Sequence, residues 1–181
     1  MRKAIIQQII KNDNEDTYFL TADVGFGILE PLEEKMGNRF INVGISEQSM
    51  ISIASGLALS KKIVYTYTMC AFYLRAIEQI RNDLCYQDVP VTMIGVGTGF
   101  DYGHLGSTHF AHEDADIIGR LPNIDVYTPN DIKEAKELIK KRNIKPRYIR
   151  IGYDHSIIKL EELPKEGGSS DYFLKKYYAN R

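Results

Sequence analysis

The stretch "VPVTMIGVG", residues 89–97, runs for nine residues without a charge and without any alternation of apolar and polar side chains. Alternation would mark a strand with one wet face, so its absence marks one covered on both faces, as in a parallel sheet. Working outward toward the N-terminus, "KIVYTYT" (62–68) reads as a second strand. "AFYLRAIEQIRNDLCY" (71–86) spaces Phe72, Ala76, Ile80 and Leu84 as one helix. Before these come the strand "RFINVG" (39–44), a long helix from Ser46 to about Ser60, and a short helix in "ILEPLEEKM" (28–36) started near Pro31. "TYFLTAD" (17–23) is a further strand, and "RKAIIQQIIKN" (2–12) a helix with Ala4, Ile5, Ile9 and their neighbours Ile6 and Ile10 on one broad face. Toward the C-terminus follow a loop rich in Gly and His and a helix near Asp114–Arg120. Last come the strand "IDVYTP", the helix "NDIKEAKELIKKR" with Asn130 as its cap, and the strand "RYIRIGY".

Strands that alternate with helices imply right-handed crossovers and an α/β fold: a doubly wound, mostly parallel sheet with helices on both faces. Ligands of such sheets gather beyond the carboxyl ends of the strands. Three loops are expected at that edge: "ADVGFG" (22–27), "GISEQ" (44–48) and "GTGFDYGHLGSTH" (97–109). One domain over residues 1–155 accounts for the pattern. A C-terminal linker and tail, 156–181, follow, with a change of composition after Pro164.

Composition narrows the function classes. The chain has 181 residues, 44% hydrophobic and 26% charged, enough for a core without disulfides or metals. Its formal net charge of −1 and dispersed basic residues give no footprint for a nucleic-acid backbone. No apolar run is long enough to span a bilayer, and the N-terminal apolar run is broken by Gln7 and Gln8 with no cleavage site after it. Cys70 and Cys85 lack metal-type spacing, which makes a reducing cytoplasm the default location.

Two places invite chemistry. Glu47 in "NVGISEQSM" (42–50) stands at a strand-to-helix turn. On position alone, Ser46 caps the helix and the acid favours its positive end. The helix beyond carries Ser49, Ser52, Ala54, Ser55, Gly56 and Ala58, small residues that permit close approach of another backbone. In the second place, His104, His109 and His112 stand with Glu113, Asp114 and Asp116. Their spacing matches no zinc signature, so no metal ligands are assigned, and a proton carrier with an unperturbed pKa of ~6.5 is the alternative.

Four blocks, "NVGISEQ", "FYLRAIEQIRND", "GSTHFAHEDADIIGRLPNIDVYTPND" and "YIRIG", resemble in order and spacing the pyrimidine-binding domain of the transketolase family. That family includes deoxyxylulose-phosphate synthase and the related 2-oxo-acid dehydrogenases. The resemblance implies thiamine diphosphate as cofactor. It implies that Glu47 bonds the pyrimidine ring nitrogen and favours the imino tautomer that removes the thiazolium proton. Phe72 would stack on the pyrimidine, and Met69, one helical turn earlier, would line the same pocket with Arg75 close by. His109 would act on the substrate side, which makes Glu47 and His109 the catalytic pair.

The diphosphate and Mg2+ motif of the family, a "GDG" with a downstream Asn, has no match here. The resemblance therefore implies a split, transketolase-like transferase subunit. It would transfer a two-carbon ketol unit from a sugar or 2-oxo substrate. A separate subunit would hold the diphosphate, in a homodimer core or heterotetramer. A subunit of a 2-oxo-acid decarboxylase or dehydrogenase, a non-catalytic interaction domain of the same fold, and a metal-dependent hydrolase built on the histidine loop are the alternatives. Leu105 replaces an acidic residue of transketolases, and Gly97 and Tyr153 stand where phosphate-handling relatives carry His and Arg.

Overall fold

In the computed structural model, residues 1–152 are described; Tyr153 and the expected tail at 156–181 lie outside them. The chain runs α1 (Arg2–Asn12), β1 (Thr17–Thr21), α2 (Glu30–Met36), β2 (Phe40–Asn42), α3 (Glu47–Leu59) and β3 (Ile63–Met69). An irregular helical segment comes next, made of α4 (Cys70–Tyr73), a 3-10 turn, α5 (Ile77–Gln79) and a π-helical turn over Ile80–Cys85. It leads to β4 (Val91–Val96), which is followed by α6 (Asp114–Gly119), β5 (Asp125–Tyr127), α7 (Ile132–Lys140) and β6 (Arg147–Ile151).

All five strand pairings are parallel, and the sheet order is β2-β1-β3-β4-β6-β5. The fold class is therefore the one expected. β4 is buried at every position and is flanked by β3 and β6, which is why its sequence shows no alternation. Val91 and Met93 enter a core layer with α3 and the irregular segment, whereas Ile94 and Val96 enter one with α1, α2 and α7. Each such side chain contributes roughly 1.5–3 kcal/mol by leaving water. Gly95 is required by space: a Cβ there would lie 2.5 Å from the Tyr148 hydroxyl and 2.9 Å from the Cys70 Sγ.

Three local expectations are corrected. The helix over 71–86 is not one regular helix, because 3-10 and π turns divide it. Asn130 is not the cap of α7; Asp131 is, and its carboxylate accepts from the Glu134 N–H at 2.8 Å. Asn130 instead donates its own N–H to the Glu134 side chain. Ser46 does occupy the N-cap position of α3, but its hydroxyl bonds the Ser49 hydroxyl at 2.7 Å instead of a helix N–H.

Candidate functional site at the carboxyl edge of the sheet

The chain winds one way from β1 to β2 and the other way from β3 to β4, so the loops leaving β1 and β3 diverge above the sheet. This is the point where doubly wound folds hold ligands. Glu47 opens α3 above β2 and is only 1% exposed. Its carboxylate accepts from Arg75 Nη1 at 3.2 Å, and the arginine is 55% exposed. Because β1 separates β2 from β3, this pair bridges the loops across the top of the sheet. A carboxylate so buried needs charge-assisted donors, and one exposed arginine leaves it capacity for another.

Phe72 sits in the single turn α4 directly on the end of β3, with Arg75 in the 3-10 turn after it. Met69 corrects one expectation: it is the last residue of β3, not a turn of helix before Phe72. It is buried nonetheless, in the core layer against which Phe72 packs.

His109 arrives from the far side, in a 3-10 turn over Ser107–His109. Its ring meets Phe72 edge-on, with centroids 5.3 Å apart, and its Nδ1 lies 3.0 Å from the Thr108 hydroxyl. Burial, and secondarily the charge of His104, lowers its pKa below the ordinary value, which favours the neutral imidazole. The three histidines do not converge. His112 packs on Phe100 at 3.9 Å and His104 lies beside Tyr102 at 6.3 Å. Among the described residues no group of three or more His, Cys, Asp or Glu is placed to hold a metal ion. Leu105 is half exposed, and the Tyr102 ring fills the space that a side chain at Gly97 would take, 2.3 Å from where its Cβ would stand.

Sequence reasoning missed what holds the histidine loop. Asp114, weighed only as a metal ligand, is fully buried and takes both Nε and Nη2 of Arg150 at 2.7 Å. The Tyr148 hydroxyl donates to the same carboxylate at 2.7 Å, and Arg150 also reaches the Ala111 carbonyl at 3.2 Å. One signal was available: Asp114 precedes Ile118 by four residues, which puts an acid on the apolar face of α6.

Residues 4–151 match the family described as transketolase, pyrimidine binding domain. The chain belongs to that family. Among its relatives, one subunit of the apulose-4-phosphate transketolase of Actinobacillus succinogenes is 34% identical over 126 residues, 68% of this chain and 40% of that protein. Its counterpart in Phocaeicola vulgatus is 30% identical over 157 residues, 83% of this chain and 50% of that protein. A solved structure of a split gene transketolase, an inactive beta4 tetramer, is 30% identical with a TM-score of 0.72, over 83% of this chain and 50% of that one. This pyrimidine-binding domain thus spans about half the length of the curated relatives it matches. Among the described residues no helix is long and apolar enough to cross a membrane.

Proposed function

We propose that the chain supplies the pyrimidine-facing half of a thiamine diphosphate-dependent, transketolase-like active site that transfers a two-carbon ketol unit. The observation that carries this reading is the convergence of Glu47, Arg75, Phe72 and His109 from three separate loops onto one edge of the sheet. Thiamine diphosphate, which the family implies, supplies a carbon nucleophile when bound. The residues fit its aminopyrimidine: a buried carboxylate with one arginine donor and, in the segment that supplies that donor, an aromatic ring packed against the core layer that holds Met69. Glu47 would bond the ring nitrogen and hold the proton there. A charge-assisted bond is strong in a dry site, and the bond from Arg75 orients the carboxylate. Phe72 and Met69 would exclude water from the ring, and neutral His109 would accept a proton or a hydrogen bond from the substrate.

The diphosphate and Mg2+ would be held by a separate subunit. Phe26 at 82% exposure and Ile45 at 76% are displayed on the loops of the same edge, apolar surface that a docked partner would cover. That the two named relatives are each one subunit of a transketolase agrees with such a division.

The test is Glu47→Gln in the complex reconstituted with its partner. The substitution keeps size and polarity but removes the charge. Exchange of the cofactor's thiazolium C2 proton into deuterated water should slow by ~100-fold, about 3 kcal/mol. Exchange at the unmodified rate would reduce Glu47 to a helix-start residue, worth about 1 kcal/mol of stability.

A further inference from the structure

The chain's densest run of positive charge, "KKRNIKPR" at 140–147, holds five cations and no acid. It lies at the end of the sheet opposite the candidate active site, because α7 ends at Lys140 and β6 begins at Arg147. An open cleft of about 300 Å³ is found there, lined by Asn12, Ile63, Tyr65, Ile139, Lys140, Arg142 and Asn143, with no carboxylate among them.

Arg147 lies behind this wall and is 5% exposed. Its three hydrogen bonds all go to uncharged oxygens: the Leu138 and Lys141 carbonyls at 2.6 and 3.0 Å and the Thr92 hydroxyl at 3.0 Å. Its Nε is buried without a partner. The Thr92 hydroxyl links it onward to Asn143 in the cleft wall. The carbonyls belong to the C-terminal end of α7, whose partial negative charge offsets part of the cost of burying a guanidinium. No carboxylate bonds it among the described residues, although a buried charge is ordinarily paired, and Asp125 acts on it only at longer range. Arg142, exposed in the cleft wall, and the Tyr65 hydroxyl bond no other group among the described residues, whereas the Lys140 ammonium is paired with Glu137 beside the cleft. Burial raises the Tyr65 pKa, so the phenol stays protonated and able to donate.

We propose that this cleft is a second ligand site, separate from the catalytic edge, which binds a small organic phosphomonoester. Its charged group would be met by Arg142 and the Tyr65 hydroxyl, with Arg147 supplying field from behind and Lys140 joining only by exchanging Glu137 for the phosphate. Its apolar part would lie on Ile63, Tyr65 and Ile139. The volume is at the lower end for small-molecule sites, which limits the ligand to roughly one ring or short chain beyond the phosphate.

The experiment is titration of the purified full chain, followed by amide chemical shifts, with phenyl phosphate, inorganic phosphate and phenol as separate probes at constant ionic strength. The expected result is saturable binding of phenyl phosphate with shifts centred on residues 63–65 and 139–143. Binding should be at least tenfold weaker for inorganic phosphate, and undetectable for phenol. Arg142→Ala and Tyr65→Phe, both outside the candidate active site, should each weaken phenyl phosphate at least fivefold while leaving the remaining spectrum unchanged. Equal binding of the two phosphates would mean an adventitious ion only and would overturn the organic site. So would binding that neither substitution weakens, or no saturable binding at all. None of these readouts depends on the cofactor or the partner subunit, so the outcome is independent of the catalytic reading.

Discussion

Arg147 and Arg150 stand three residues apart on β6, point to opposite faces of the sheet, and are neutralised in different ways. Arg150 meets a fully buried carboxylate with two bonds of 2.7 Å, and Asp114 thereby raises its pKa against the opposing effect of burial. Arg147 meets only uncharged oxygens, and burial lowers its pKa. Their neighbours on β4 differ accordingly. Arg147 pairs in register with Thr92, which supplies a hydroxyl, and Arg150 with Gly95, which leaves room for Tyr148 beside it. The difference teaches what each end of the sheet is built to do. At the carboxyl end the Arg150 charge is closed by Asp114 within the chain, which fixes the loop bearing His109. At the amino end Lys140 and Lys145 pair with Glu137 and Asp125, and the Arg147 charge is left without a bonded carboxylate.

The largest expected effect breaks the closed pair. Asp114→Asn leaves Arg150 buried without its counter-charge and should cost about 3–5 kcal/mol of stability in urea unfolding. Loss of less than about 1 kcal/mol would mean that the pair is not what holds the loop. Arg147→Met, in phosphate-free buffer, should cost only about 1 kcal/mol, since hydrogen bonds to neutral acceptors are lost but desolvation of a charge is relieved. A cost equal to that of Asp114→Asn would erase the distinction between the two arginines.

The smallest effect sharpens the picture of the closed end. His109 should titrate below about 6.5 in proton NMR, because burial disfavours its charged form. Its folded pKa lies below the unfolded value. Stability therefore rises with pH from the folded midpoint up to about 6.5, and is lost as pH falls through that window. His104→Gln removes the second cause and should move the midpoint upward, without restoring it to the ordinary value, because burial is the larger cause and remains. A midpoint at or above about 6.5 in the unmodified chain would contradict the burial of this ring.

Much of this was legible in the sequence. The buried strand at 89–97 and the alternation around it were enough for the parallel sheet, since hydrophobic periodicity is a local property that packing rarely overrides when every strand is covered. The expectation that Glu47, Phe72 and Arg75 share one site rested on the resemblance of the blocks that carry them, since spacing alone reads Phe72 as an ordinary core residue. What was not legible depends on three-dimensional competition among polar groups. Nothing local distinguishes Asn130 from Asp131 as the cap, since both types cap helices well and the outcome depends on which side-chain oxygen reaches the Glu134 N–H. The break in the 71–86 helix leaves the apolar spacing intact, so periodicity cannot reveal it. Ser52 and Ser55, placed among small residues suited to another backbone, bond Asp83 within the chain, and Ala54, Ser55 and Ala58 are buried in its own core. Ser52 and Gly56 remain exposed on that helix.

The two outermost strands, β2 and β5, are each three residues long, whereas the interior strands run from five to seven. A sheet margin is a row of unsatisfied peptide groups that can recruit a neighbouring chain. Here each margin offers only a brief row. Beside one, Arg39 occupies the Thr17 carbonyl, and at the other Asp125 pairs with Lys145. Growth of the sheet in its own plane, the route to irreversible clumping when the protein is concentrated, therefore has almost no template on either side.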